Sequence, residues 1–362
     1  MSNSKMYRWL AALLALALLA AACGSDDDDG DAAEETSTEA EGDAEGDGDG
    51  SVSAGEEAEG DVDTEVEASD AERVQGGDIA VGLEAEIVGL RPWEDTCGSP
   101  CYNVLITLYD KLMESAEDGS YQGWLLTDIS SNEDFTEWTG NLREGVTFHN
   151  GVELTAQSIA DMFPIQQTGS QSAGQISASG LADVQATGDY EVTWSLSRPN
   201  SAFPAYLARA QLGFVFEPGA AAADPDGFNE APVGTGPFTL ESRDLDNETV
   251  VVRNPDYWMT DQNGTQLPYL DSIAFRPIPD EGTRLDATLS GTTNVAHTLR
   301  QGTIRDARTA RDEGAEITLY EFQGNNVGGG MFNNVVPPFD DVRVRRGLTH
   351  LNSQENVIEA LG

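Results

Sequence analysis

Short runs of alternating apolar and polar residues punctuate this chain, and one cluster of them is unusually dense. Val146 and Phe148 alternate with polar neighbours, the period-2 sign of a half-buried strand. His149-Asn150-Gly151 follows at once, and Asn and Gly tolerate the positive φ that tight hairpin turns demand. Thr155 is placed to cap a helix over residues 156–163, with Ile159, Met162 and Phe163 on one face and Pro164 as its stop. Upstream, Trp138 and Leu142 alternate with Glu137, Thr139 and Asn141. The expected order is strand, turn, strand, turn, helix within thirty residues.

The same reading extends along the chain. Residues 76–83 (GGDIAVGL) predict a first strand, and residues 104–114 are apolar enough for a buried helix or strand. Residues 170–179 are polar and rich in Gly and Ala, and are expected to form a loop. Tyr190, Val192, Trp194 and Leu196 fall on one face of a strand that Pro199 ends. Phe238 and Leu240, a turn at 244–247 and residues 249–253 predict a hairpin. A further strand is expected over 272–278, a short helix over 283–289 closed by Gly291, and Asp341 as the cap of a later helix.

The amino terminus departs from this pattern. Lys5 and Arg8 precede an apolar run from Trp9 to Ala22, shorter than the roughly 20 residues a bilayer span needs. A basic start, a short apolar core and small residues before a cut site read as an export signal over residues 1–22. Cys23-Gly24-Ser25 comes next and resembles a bacterial lipoprotein site, in which the cysteine carries the lipid. The alternative is an ordinary secretory signal that happens to contain a cysteine. Asp26 to Glu72 then holds 22 acidic residues and no basic one, with almost no aromatic or large aliphatic side chains. Such a stretch buries too little apolar surface to repay its ordering, so residues 23–75 are expected to be a disordered tether. Fifty residues of this kind average roughly 40 Å end to end. The DDDD run lacks the Gly-centred spacing of a calcium loop.

Charge narrows the function classes. The formal net charge is −45, and from Arg73 onward 42 acidic residues still face 17 basic ones, an excess of 25. That surface repels nucleic acid and anionic membranes. Cys97 and Cys101 flank Gly-Ser-Pro, and in an exported chain a close pair reads first as a disulfide and second as free thiols. A ring this small contributes roughly 2 kcal/mol at best. A metal site would need more ligands, and no His or further Cys lies nearby in sequence.

Four separated motifs carry a resemblance. Leu142 to Ala156 matches every fixed position of an LR-x-G-V-x-F-H-x-G-x-x-L-T-A run. Pro232 to Phe238 reads P-V-G-T-G-P-F, Arg253 to Trp258 reads R-N-P-D-Y-W, and Asn333 to Arg345 reads N-x-x-x-P-P-F-x-D-x-R-V-R. Together they resemble the family 5 extracellular solute-binding proteins, the peptide- and nickel-type receptors of ABC importers, over about residues 76–361. The Gly-rich PVGTGPF run has no Lys-Ser/Thr after it, which argues against a phosphate loop; its glycines are expected to let the backbone approach a neighbour closely. At the family's G-x-x-D this chain carries Asn294 in place of Asp.

The resemblance implies an α/β, periplasmic-binding-protein-like fold of two lobes (type II, with the extra subdomain of family 5) closing on a ligand by hinge motion. Residues 76–111 and 231–282 would form the main lobe, 112–230 the subdomain, and 283–362 the start of a second lobe left incomplete at Gly362. One wall of the cleft would then be missing, and the chain as written is expected to bind its solute poorly or not at all. The implied partners are a peptide or other small solute, the permease subunits of an importer, and the membrane through a lipid on Cys23. No cofactor or metal is called for. The cleft segment would run from Glu84 to Tyr102, with Glu84, Glu86 and Trp93 as candidate ligand contacts, together with Phe332 and Asn333 from the later strand. Exposed carboxylates beside a Trp suit a ligand's amine; solvated loop charges are the plainer reading.

Two rivals stand beside this one. A non-binding fragment or surface structural lipoprotein has the same motifs. An extracellular enzyme would need a catalytic constellation, but no G-x-S-x-G or H-E-x-x-H occurs, and His149, His297 and His350 are scattered.

Overall fold

The chain divides into two units, Met1–Asp61 and Val62–Gly362. A computed structural model describes residues 74–116, 118–298, 300–320, 333–351 and 353, all in the second unit. The export signal, Cys23, the acidic stretch to Glu72 and Phe332 lie outside the described residues.

Two sheets carry the described body. The first has the order β11 (Val295–Ala296), β1 (Asp78–Leu83), β10 (Ser272–Pro277), β9 (Glu248–Arg253) and β8 (Phe238–Asp244). β1 runs parallel to both neighbours, Val81 pairing with Phe275 on one side and Val295 on the other, while β10, β9 and β8 are antiparallel. The second sheet is wholly antiparallel, in the order β4 (Leu126–Ser131), β5 (Glu137–Leu142), β7 (Glu191–Leu196) and β6 (Leu181–Ala186). A two-stranded ribbon, β2 (Met113–Ser115) with β3 (Tyr121–Gly123), completes the strands.

The alternation in the sequence is what the second sheet buries. Trp138 pairs directly with Trp194, and Val192, Trp194, Leu196 and Leu142 all turn inward. Phe203 packs against both indoles, with ring centroids 6.2 and 6.3 Å away. These side chains and Val81, Leu83, Val251, Ile273 and Phe275 of the first sheet belong to one contiguous apolar core. At about 25 cal/mol per Å² of apolar surface removed from water, that shared core is the main stabilising term.

Helices cover the sheets. α1 (Ser99–Leu108) resolves the apolar run after Tyr102 as helix, with Val104, Leu105 and Leu108 buried. α2 (Ala156–Thr168) buries Ile159, Met162 and Phe163 as expected, and the Thr155 backbone N–H donates to Ser158 Oγ at 3.3 Å. Pro164 does not stop it. The helix runs one further turn because Gln166 is buried and donates to the Leu212 carbonyl at 3.2 Å, an anchorage that outweighs the missing N–H. Residues 170–179 are not a loop either: α3 (Ser172–Ser179) forms there, buries Ile176, and ends on Gly180 at φ 82°. The Ser172 hydroxyl also donates to backbone carbonyls, so polar composition concealed a buried, satisfied residue.

Two shorter helices follow, α4 (Phe203–Ala208) and α5 (Pro218–Ala223). α6 (Glu281–Leu289) is capped by Asp280, which accepts from the Thr283 N–H at 2.8 Å. α7 spans Gln301–Asp312 and α8 spans Val342–Leu351, with Asp341 accepting from the Arg343 N–H at 2.8 Å as its cap. The Val146–Phe148 segment buries both apolar residues but pairs only through a single bridge, Thr147 with Glu153, across the turn at Gly151. No helix among the described residues is long and apolar enough to cross a membrane.

Candidate functional site

Three of the four motifs converge on one buried node. His149 Nδ1 accepts the Gly234 N–H at 3.2 Å, and its Nε2 lies 3.0 Å from the Gly236 carbonyl. Nδ1 is therefore the acceptor and Nε2 the donor, which fixes a neutral tautomer. Burial, against the hydrogen bonds from the ring to backbone, holds the imidazole below its ordinary pKa. Asn254 donates to the same Gly236 carbonyl at 3.0 Å, and the Arg143 guanidinium lies 4.8 Å from the Trp258 ring centroid. Asp110, 5% exposed, accepts from Trp124 Nε1 at 2.8 Å, Tyr257 OH at 3.0 Å and Trp258 Nε1 at 3.0 Å. The glycines admit α1: a Cβ on Gly234 would stand 2.1 Å from the Leu108 carbonyl oxygen. Apart from the buried Thr235 hydroxyl, the polar groups named here are spent on other parts of the chain, so this node organises the fold.

A different place has the chemistry of a site. In open α/β sheets ligands sit beyond the carboxyl ends of the parallel strands. Here β1 ends into Glu84 and β11 into His297, and parallel pairing sets the two side by side. His297 Nδ1 lies 3.0 Å from Glu84 Oε1 and 3.3 Å from Ser99 Oγ. Ser99 opens α1, inside the Cys97–Cys101 disulfide that the structure contains. Behind them Arg284, 1% exposed, donates from Nε to the His297 carbonyl at 3.0 Å and pairs with Glu281 at 2.8 Å. Asn294 ties β11 to β1 twice, accepting the Ala80 N–H at 2.8 Å and donating its own to the Ala80 carbonyl at 2.7 Å. Only an acceptor is needed in the first of these bonds, so an amide serves where the resembled G-x-x-D pattern has an acid.

Burial by itself would raise the Glu84 carboxyl. The hydrogen bond from His297, with the backbone and the imidazolium charge, outweighs it and holds Glu84 below the ordinary carboxylate value. The Glu84 hydrogen bond raises His297 in turn, against burial. Glu84 Oε2 is buried with no hydrogen-bond partner. Because Glu84 and Ser99 both meet Nδ1, they do not form a relay, which requires acid and nucleophile on opposite ring nitrogens. The arrangement holds charge; it does not activate the hydroxyl.

The other expected contacts fall differently. Glu86 is not free: its two carboxylate oxygens accept from the Ile87 and Asp246 N–H groups, each at 2.9 Å. Trp93 is packed into the core and does not stand beside Glu84 as an open ligand contact. It is 5% exposed, its ring centroid 4.4 Å from Phe216 and 5.0 Å from Phe228. Asp95 is buried against Arg91 at 2.8 Å, and the Gln211 amide clasps the Pro92 and Asp95 carbonyls at 3.0 Å each. The segment after β1 is thus packed down, because its aromatic residue completes the core. Asn333 is exposed, and Phe332 is outside the described residues. A separate cleft of about 440 Å³, bounded by Arg91, Trp93, Glu94, Ile165 and Asp226, includes neither Glu84 nor His297. Among the described residues no group of three or more His, Cys, Asp or Glu is placed to hold a metal ion.

Sequence reading missed His297 and Asp110. His297 is 213 positions from Glu84, and only the parallel pairing of β11 with β1 brings them together. Its one signal was a polar residue directly after a short apolar strand at the same sheet end.

An α/β body with an antiparallel subsheet and a polar pair, Glu84 with His297, at its parallel strand ends has the architecture of a solute-binding protein. Residues 120–362 match bacterial extracellular solute-binding proteins, family 5 Middle, and the chain belongs to that family. It is 26% identical over 319 residues to the dipeptide-binding protein of Escherichia coli, covering 80% of this chain and 57% of that one. It is 31% identical over 189 residues to the nickel-binding periplasmic protein of the same organism, covering 51% of this chain and 34% of that one. The fold also matches a dipeptide-binding protein from a Pseudoalteromonas species in complex with Met-Leu. There the TM-score is 0.63 at 22% identity, over 78% of this chain and 59% of that one. The chain spans about half the length of the relatives it matches.

Proposed function

We propose that this chain acts as the receptor of an ABC importer, capturing a peptide or related small solute outside the membrane and passing it to permease subunits. The family match over residues 120–362 carries the reading, and the names of the relatives direct it to peptides first. It is a binding role, not a catalytic one. In this reading residues 76–111 and 231–282 form the main lobe and 112–230 the subdomain; β11, expected within the second lobe from residue 283 on, pairs with β1 and extends the main lobe to His297. Residues beyond 300 lead into a second lobe that closes on the ligand.

The proposal includes an extracytoplasmic position with a lipid on Cys23, motivated by the short apolar run that ends at that cysteine. Cys23→Ala should release the protein from membranes, and a variant that stays bound after signal removal would sink the anchor. Calorimetry of residues 24–362 against a library of short peptides tests the binding role. Weak but saturable heat with some members is the expected result. Silence across the library at millimolar concentration would overturn the reading.

A further inference from the structure

We propose that Glu84 is the subsite for a cationic group of the solute, an ammonium or guanidinium, and that His297 is the resident counter-ion that the solute displaces. This deepens the solute-binding reading and rests on it. Three observations support it. Glu84 and His297 stand at the carboxyl ends of neighbouring parallel strands, where such folds receive ligands. Glu84 Oε1 is held by one imidazole nitrogen at 3.0 Å, while Oε2 is buried without a hydrogen bond, with the Ser99 hydroxyl and the Glu84 N–H nearby helping to hold the charge. A buried carboxylate oxygen without a partner forfeits a charge-assisted hydrogen bond, which a cation with several N–H groups would supply to both oxygens. His297 supplies only one.

The remaining charges around the pair make His297 the group that yields. Arg284 of α6 is anchored to the His297 and Ile278 carbonyls and to Glu281. Glu281 in turn is occupied by Arg300, at 3.5 Å, and by the Thr298 and Thr303 hydroxyls at 2.7 and 3.0 Å. Ser99, at the start of α1, is the remaining hydrogen-bonding neighbour of His297 among the described residues and carries no charge. Arg284 is fixed and positive, so an incoming cation and a protonated His297 repel each other beside it. Binding therefore expels the His297 proton. Below the pKa of His297 in the free protein the dissociation constant rises by up to about tenfold per pH unit; above it affinity is level.

Three probes separate the sources of the cation: alanyl-leucine, its N-acetyl form, and N-acetyl-alanyl-arginine, whose charge is on the side chain. Calorimetry and NMR of the His297 ring on the full chain, from pH 5 to 8, read both binding and protonation. At least one cationic probe is expected to bind tenfold or more tightly than the neutral one at pH 7.5, and to return the His297 titration to its ordinary position. Glu84→Gln should remove that preference. His297→Gln should keep it and lose the pH dependence, a gain at pH 5 that misfolding would not produce. Equal binding of charged and neutral probes, or a preference that survives Glu84→Gln, overturns the proposal and leaves the solute-binding reading standing. Binding of none of the three at millimolar concentration also overturns the proposal, and the solute-binding reading is then decided by the peptide library.

Discussion

His149 accepts the backbone N–H of Gly234 through Nδ1 at 3.2 Å, joining two motifs 85 residues apart. The ring closes the link by donating from Nε2 to the Gly236 carbonyl at 3.0 Å. The histidine of the longest motif is thus a strut between two loops, neutral and largely buried.

Replacing it should show that role. In His149→Phe the ring volume is kept, but the Gly234 N–H and the Gly236 carbonyl lose a partner. An unsatisfied buried group costs about 1–3 kcal/mol. Urea denaturation should report a loss in that range with an unchanged slope, and no loss at all would remove His149 from the fold's support. The neutral imidazole also carries a pH signature. Its pKa is lowered by burial, so the unfolded chain binds the extra proton, and the stability tied to neutral His149 is lost as pH falls below the ordinary histidine value of about 6.5.

The glycines beside that strut and those in open helix should respond with opposite signs. In Gly234→Ala the new Cβ meets the Leu108 carbonyl oxygen at 2.1 Å and Tyr109 Cδ1 at 2.5 Å, both fixed by α1. The backbone has to move, with a cost of about 2 kcal/mol or more. Gly174 lies inside α3 with nothing within 4 Å of where a Cβ would stand, so Gly174→Ala should stabilise by roughly 0.5–1 kcal/mol. Thermal melts of the two variants at one pH decide it, and a shared sign would refute the packing argument.

Asp110 makes a third case. Burial pushes its carboxyl upward, while hydrogen bonds from Trp124, Trp258 and Tyr257 work the other way. Asp110→Ala would leave two indole N–H groups and a phenol without an acceptor in a closed space. A loss of about 3 kcal/mol or more is expected, since bonds to charged groups contribute about 1.5–3 kcal/mol each. Tryptophan emission should shift at the same time, as Trp124 and Trp258 lose their shared partner. A stable variant with unchanged emission would mean the carboxylate is incidental.

The elements that alternation marked were legible because period-2 patterning is a local signal: β1, β5, β7 and the β8–β9 hairpin lie where Ile79, Trp138, Val192 and Phe238 placed them. α3 was not legible, since Ser172 and Ser179 are buried by bonding their hydroxyls to backbone, which composition cannot reveal. Pro164 misled for the opposite reason, a strong local rule overridden by the tertiary anchorage of Gln166. At the site, Glu84 was placed by its position after β1. Trp93 and Glu86 looked equally available because sequence does not say which polar loop residues find intramolecular partners. His297 depended on a two-residue strand, too short to declare itself, pairing in parallel with β1 from over 200 positions away.

That pairing gives the Glu84–His297 contact a pH window. The Glu84 carboxyl is held down, so its contribution is present above the ordinary carboxylate value of about 4.3 and is lost as pH falls through its depressed folded value. His297 is held up, so its contribution is complete below about 6.5 and is lost as pH rises through its raised folded value. The two overlap fully between about pH 4.5 and 6.5, and there the ion pair stabilises the protein most. Both side chains are partly solvated, 22% and 36% exposed, so solvent and salt weaken the effect. The melting temperature of wild type should exceed that of His297→Gln most near pH 5.5, by less at pH 8, and by less again in high salt. A difference that is flat from pH 5 to pH 8 would show that His297 acts through packing alone, and that Glu84 has no counter-ion in it.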